Sequence, residues 1–165
     1  MGQAEVKGTR RILSTSGEVR NAVVEFTRHA DRALAILTPD LEPEIYDHEE
    51  FLETLKKFIF ARGFARIRVL ITDPARAIKS GNQFVSMGRR LYSYIEFRNV
   101  KEEFRHHEEA FFVADENALI YRADGKHWRG MADSNEPAVA RKHLDAFDEL
   151  WHACEVESTL RQRHL

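Results

Sequence analysis

Two short apolar runs, each stopped by the same kind of segment, restrict this chain more than any other feature. Ala33 to Leu37 runs into Thr38-Pro39-Asp40, and Ile67, Val69, Leu70 and Ile71, broken only by Arg68, run into Thr72-Asp73-Pro74. Runs this short fit strands buried on both faces better than helices. Proline, which lacks an amide donor, sits in each stop. Between the runs, from about His48 to Ala61, Phe51, Leu52, Leu55, Phe58 and Ile59 recur at spacings of three and four, and Gly63 follows. That pattern predicts an amphipathic helix with a glycine stop. Strand, helix and strand in this order predict a βαβ unit.

The rest of the chain extends the same layout. Thr15-Ser16-Gly17-Glu18 caps a helix from about Gly17 to His29, with Val19, Ala22, Val23 and Phe26 on one side. Phe84 to Tyr92 is a further amphipathic segment, and Tyr94 to Phe97 is β-branched and aromatic. Ala110 to Val113 and Ala118 to Tyr121 flank Asp115-Glu116-Asn117, a hairpin pattern, so the sheet is expected to be mixed. Ser134 is a candidate cap for a last helix that carries Val139, Leu144, Phe147, Leu150 and Trp151, with Pro137 in its first turn. The expected fold class is α/β, a mixed sheet of five or more strands flanked by helices. Residues 1–14 are expected to form a flexible arm, 15–154 a single domain and 155–165 a tail.

Composition narrows the function classes. A formal net charge of -2 gives no global positive field to draw in nucleic acid or anionic membranes. The single cysteine, Cys154, excludes an internal disulfide and a multi-cysteine zinc site. No apolar run is long enough to span a bilayer, and Met1 to Arg11 lacks the apolar core of a signal peptide. The expected location is the cytoplasm.

The densest chemistry is Arg105-His106-His107-Glu108-Glu109, directly before the buried run Ala110 to Val113. Imidazole and carboxylate together suit proton transfer or a divalent metal. Alternate strand residues share a face, so His107 and Glu109 pair, and a third metal ligand would have to come from Asp133, Asp40 or His127. The bland alternative is a structural histidine beside two solvated glutamates. Arginines cluster as Arg62, Arg66 and Arg68, as Arg89-Arg90, and as Arg122, Lys126 and Arg129, near Tyr92, Tyr94 and Trp128. These are ingredients of a phosphate-contacting and stacking face, although Asp47 to Glu50 and Glu102-Glu103 interrupt the field. Thr38-Pro39-Asp40 lies where open sheets bind ligands.

The order of elements and the histidine before a buried strand resemble one half of the phospholipase D-like superfamily, over roughly Thr15 to Ala153. In that family each half contributes a histidine, a lysine two residues later and an aspartate seven residues after the histidine, and a Gly-Ser-x-Asn element often follows the next strand. The resemblance implies a nucleophilic histidine, here His107, and pairing of two halves. Glu109 stands where the lysine belongs, Ala114 where the aspartate belongs with Asp115 one residue late, and Arg122-Ala123-Asp124-Gly125 replaces the last element. Trp128 to Asp133, Asn135 and the Trp151 helix also resemble a small bacterial domain of unassigned function in this superfamily, sometimes linked to acetyltransferases. No Arg/Gln-x-x-Gly-x-Gly/Ala segment for an acyl-CoA pyrophosphate is visible, and no cofactor is expected.

A phosphodiester transition state needs positive charge around its oxygens, and Glu109 supplies the opposite. The leading expectation is therefore a degenerate phospholipase D-like module that binds a phosphate-containing ligand or a protein partner, as a homodimer. The alternatives are an active phosphodiesterase or nuclease using His107 in a homodimeric site, and a metal-dependent hydrolase. The residues expected to carry catalysis are His107, Glu109 and Asp115. Those expected to bind ligand are Arg122, Lys126, Arg129 and Asp40, with Trp128 at the rim.

Overall fold

The computed structural model describes residues 8–79 and 82–156. In chain order its strands are β1 (Arg10–Leu13), β2 (Ala33–Thr38), β3 (Arg66–Ile71), β4 (Ile95–Asn99), β5 (Ala110–Ala114), β6 (Ala118–Arg122), β7 (Gly130–Asp133) and β8 (Glu155–Val156). The helices are α1 (Ser16–His29), α2 (Pro43–Tyr46), α3 (Glu49–Arg62), α4 (Pro74–Lys79), α5 (Gln83–Arg90) and α6 (Pro137–Ala153). One eight-stranded mixed sheet runs in the order β1-β7-β6-β5-β2-β3-β4-β8. β2, β3 and β4 are mutually parallel, and every other pairing is antiparallel.

The βαβ unit forms for the reasons legible in its pattern. Leu34 and Ile36 of β2, with Ile67, Val69 and Ile71 of β3, face the layer of α1, α2, α3 and α5. Ala35, Leu37 and Leu70 face α6 on the other side. Both faces being buried explains why β2 does not alternate with polar residues, while in β3 Arg68 takes the one polar place toward α6, bonded to Asp148. Thr15 caps α1 through a reciprocal bond pair with Glu18, a motif that stabilises by about 1 kcal/mol. Gly63, at φ 67, closes α3 with its amide on the Ile59 carbonyl at 2.9 Å. A residue with a Cβ would be strained there.

Several expectations need correction. Arg10–Leu13, read as part of a loose arm, form β1 and pair along their whole length with β7. β7 itself carries too mixed a sequence, Gly-Met-Ala-Asp, to read as a strand alone. It exists because β6 and β1 hydrogen-bond it from both sides. Glu155–Val156, read as tail, pair with Asn99 and Arg98 of β4. Ser134 does not cap α6: its hydroxyl accepts from the Thr9 amide at 2.9 Å, and Glu136 holds the cap position without a side-chain bond. Pro137 sits in the first turn as expected. Among the described residues no helix is long and apolar enough to cross a membrane.

Candidate functional site at the carboxyl end of the parallel strands

Topology gathers the polar residues at one end of the sheet. β5 runs antiparallel to β2, with Phe111 opposite Leu37, so the segment before Ala110 lies beside Thr38. β6 returns to the same end, with Arg122 opposite Ala110, and β7 starts there, with Met131 opposite Tyr121. The loop between β6 and β7 folds over it, the Gly125 amide donating to the Glu108 carbonyl at 2.7 Å. The end of β2, the start of β5 and the β6–β7 loop thus form one rim.

On the α6 face of this rim, His107 and Glu109 meet at 3.6 Å, with side chains 32% and 27% exposed. The rings of His106 and His107 stack at 4.6 Å. Glu109 shares the strand face of Phe111 and of Tyr121, the residue paired with Phe111, and its charge acts on the Tyr121 hydroxyl. The ring of His143, from α6, lies 4.7 Å from Tyr121 and 5.1 Å from Phe111. Burial, then the Glu109 carboxylate, push the Tyr121 hydroxyl above the usual tyrosine range, so it stays protonated. Burial holds the His143 imidazole below the usual histidine range, against the pull of Glu109 and with the push of Lys142.

The opposite face of the rim carries a closed network. Arg122 is 3% exposed and Glu42 5% exposed, and a guanidinium nitrogen bonds the Glu42 carboxylate directly. Glu42 also accepts from the Thr38 hydroxyl at 2.9 Å. Arg122 donates further to the carbonyls of His127 at 2.8 Å and Gly125 at 3.3 Å, and its guanidinium lies 4.9 Å from the Trp128 ring centroid. Burial pushes the Glu42 carboxyl up, and the Arg122 charge pulls it back. Beside it, burial and then the Glu42 charge push the Tyr46 hydroxyl far up. Leu41 precedes this carboxylate at φ 64, a left-handed conformation that costs a leucine about 1–3 kcal/mol. The buried Asn82 amide pins it by donating to the Leu41 carbonyl at 2.9 Å.

The structure therefore redistributes the residues singled out from sequence. His107 and Glu109 come together. Lys126 and Arg129 are exposed on the β6–β7 loop. Arg122 is not a free ligand group, because Glu42 neutralises it, and Trp128 covers it instead of standing free at a rim. Asp40 is paired with Arg76 at 3.1 Å. Asp115 lies past the far end of β5, about 16 Å of strand beyond Ala110. There it accepts the amides of Asp31, Arg32 and Ala33 at 3.0, 2.7 and 3.1 Å. Among the described residues no three histidine, cysteine, aspartate or glutamate side chains converge on a metal position. Asp133, one of the three residues considered as a third ligand, is held by Arg10 and the Asn135 amide.

The arginines form no single basic face. Arg68 lies under α6, bonded to Asp148 at 2.7 Å and over the Phe147 ring, while Arg62 and Arg66 sit at the amino end of β3. Sequence reasoning missed Glu42, Tyr121 and His143. His143 had a signal, since it falls three residues after Ala140 and four before Phe147 on the core stripe of α6.

His143 supplies a pH test. A histidine held neutral by folding contributes stability that is complete above its unfolded pKa, about 6.5. That contribution is lost as pH falls towards the lower folded value. The urea midpoint should therefore decline between about pH 7.5 and pH 5.5, and His143→Gln should decline less. Parallel pH profiles for the two proteins would contradict this environment for His143.

Comparison with known proteins gives the fold its relatives. The structure is similar to Nuc from Salmonella typhimurium, a phospholipase D family member, with a TM-score of 0.62 and 14% identity over 91% of this chain and 98% of that one. NucT from Helicobacter pylori gives a TM-score of 0.60 and 9% identity over 91% and 99%. TrmBL2, an archaeal chromatin protein with a novel mode of DNA binding, gives 0.64 and 11% over 89% of this chain and 52% of its own. No protein with a curated description matches the sequence. The fold is phospholipase D-like, and a family model matches residues 15–162, so the chain belongs to DUF7931, a family of domains of unknown function.

Proposed function

We propose that this domain is a non-catalytic phospholipase D-like module that binds a phosphate-containing ligand or a protein partner through the His107 rim. The observation that carries it is the pairing of His107 with Glu109 at 3.6 Å. A carboxylate sits where phosphoryl transfer needs a cation, and the buried arginine at this end is committed to Glu42. The exposed cations Lys126 and Arg129 supply attraction without the geometry for transfer. TrmBL2 supports a binding role in a weaker way, since a protein described by its DNA binding carries this fold in about half its length.

Hydrolysis of bis-p-nitrophenyl phosphate is expected to stay at background with or without manganese or EDTA. Inorganic phosphate is expected to bind, more weakly in His107→Ala and several-fold more tightly in Glu109→Lys. Turnover lost in His107→Ala would overturn this reading. It would establish instead an active phosphodiesterase, which the partial exposure of His107 favours as the second reading. Turnover that needs manganese would instead favour a metal-dependent hydrolase.

The half-domain layout also supports a homodimer. Light scattering of the purified chain at micromolar concentration is expected to give twice the chain mass of 19.2 kDa. A mass of one chain throughout a dilution series would contradict the pairing.

A further inference from the structure

One row of side chains, Ile12, Met131, Tyr121 and Phe111, crosses β1, β7, β6 and β5 on the α6 face of the sheet. α6 covers the Phe111 end, where His143 and Phe147 pack against that ring. The other end is open: Ile12 is 72% exposed, and Tyr121 and Met131 are only partly buried. Over it lies a groove of about 600 Å³ lined by Tyr121, Ala123, His127, Arg129, Gly130 and Met131. That is the size of small-molecule sites, which pair an apolar floor with a few fixed polar groups.

The groove has both. Its floor is Tyr121 and Met131, and Gly130 lets β7 lie close on β6, since a Cβ there would fall 2.4 Å from the Tyr121 carbonyl oxygen and 2.6 Å from the Arg122 side chain. Tyr121 is already ordered, its ring against His143 at 4.7 Å. An aromatic surface ordered before binding loses little entropy when a ligand arrives. Arg129 at the wall is exposed and makes no ion pair among the described residues. The one carboxylate of the wall, Asp124, is turned into its own loop, 3.6 Å from His127 and accepting the Lys126 amide at 2.9 Å.

We propose that this groove binds a small planar-ring molecule bearing an anionic group, with the ring against Tyr121 and Met131 and the anion at Arg129. The proposal deepens the binding role of the His107 rim and rests on it for the anionic class of the ligand.

Calorimetric titration of the full chain with 1-naphthyl phosphate, 1-naphthol and inorganic phosphate tests it. Naphthyl phosphate is expected to bind at least tenfold more tightly than either of the others. Ala123→Trp fills the groove from an exposed position, and Arg129→Ala removes the cation. Each should weaken naphthyl phosphate at least tenfold, with the thermal melt unchanged, and Ala123→Trp should leave inorganic phosphate unaffected. Naphthyl phosphate binding no tighter than inorganic phosphate, or retained in both variants, would overturn the groove. If inorganic phosphate still bound and lost affinity in His107→Ala, the rim would stand without the groove. A ring advantage with no effect of His107→Ala would support the groove and remove the rim. No binding of any probe would overturn both.

Discussion

Glu42→Ala is expected to destabilise the folded chain by about 3–5 kcal/mol, the range for removing one partner of a buried ion pair. Arg122 would keep its charge at 3% exposure with only two carbonyls and the face of Trp128 for company. Those contacts do not neutralise a guanidinium out of water. The double variant Glu42→Leu with Arg122→Met removes both charges and keeps the volume. It should regain most of the loss, since apolar replacement of a buried pair is often neutral or stabilising. Urea denaturation of the wild type, the single variant and the double variant measures this. A loss below about 1 kcal/mol for Glu42→Ala would mean that water reaches the pair. The network also decides chemistry, because it withdraws from the rim Arg122, one of the cations expected from sequence to bind ligand.

Asp115→Ala is expected to cost about 2–4 kcal/mol, because one carboxylate accepts three backbone amides at the start of β2. Asp115 also adopts φ 57 in the β5–β6 turn, a conformation aspartate tolerates better than alanine. Asp115→Asn keeps an acceptor and the turn preference, so it should lose less than half as much. Phosphate binding at the His107 rim should be unchanged in both variants, since Asp115 lies at the other end of β5. A loss of binding with no loss of stability would return Asp115 to the functional site.

The contrast between these two acidic residues shows what kind of information a linear pattern holds. The parallel core was legible because burial on both faces leaves a mark in sequence, in β2 and β3 as short apolar runs and in α3 as a stripe of five apolar residues with Gly63 behind it. The capping box at Thr15 and Glu18 and the hairpin at Asp115 to Asn117 were legible for the same reason, since each is completed by neighbours within a few residues. His107 with Glu109 was legible from strand alternation alone.

Pairing at long range was not. β1 and β7 carry no strand pattern of their own, and the pairing that joins them links segments more than one hundred residues apart in the chain. Glu42 and Arg122 are separated by 80 residues. Nothing near either one announces that its charge will be buried and cancelled. His143 and Tyr121 meet only because α6 crosses β6. Local propensity and periodicity, which act over one or two turns, determined the βαβ core, the β5–β6 hairpin, the long helices, the α/β class and the position of the histidine rim. Which cations face solvent, and whether a groove opens beside the rim, followed from burial and charge pairing between distant segments, which only the packed sheet decides.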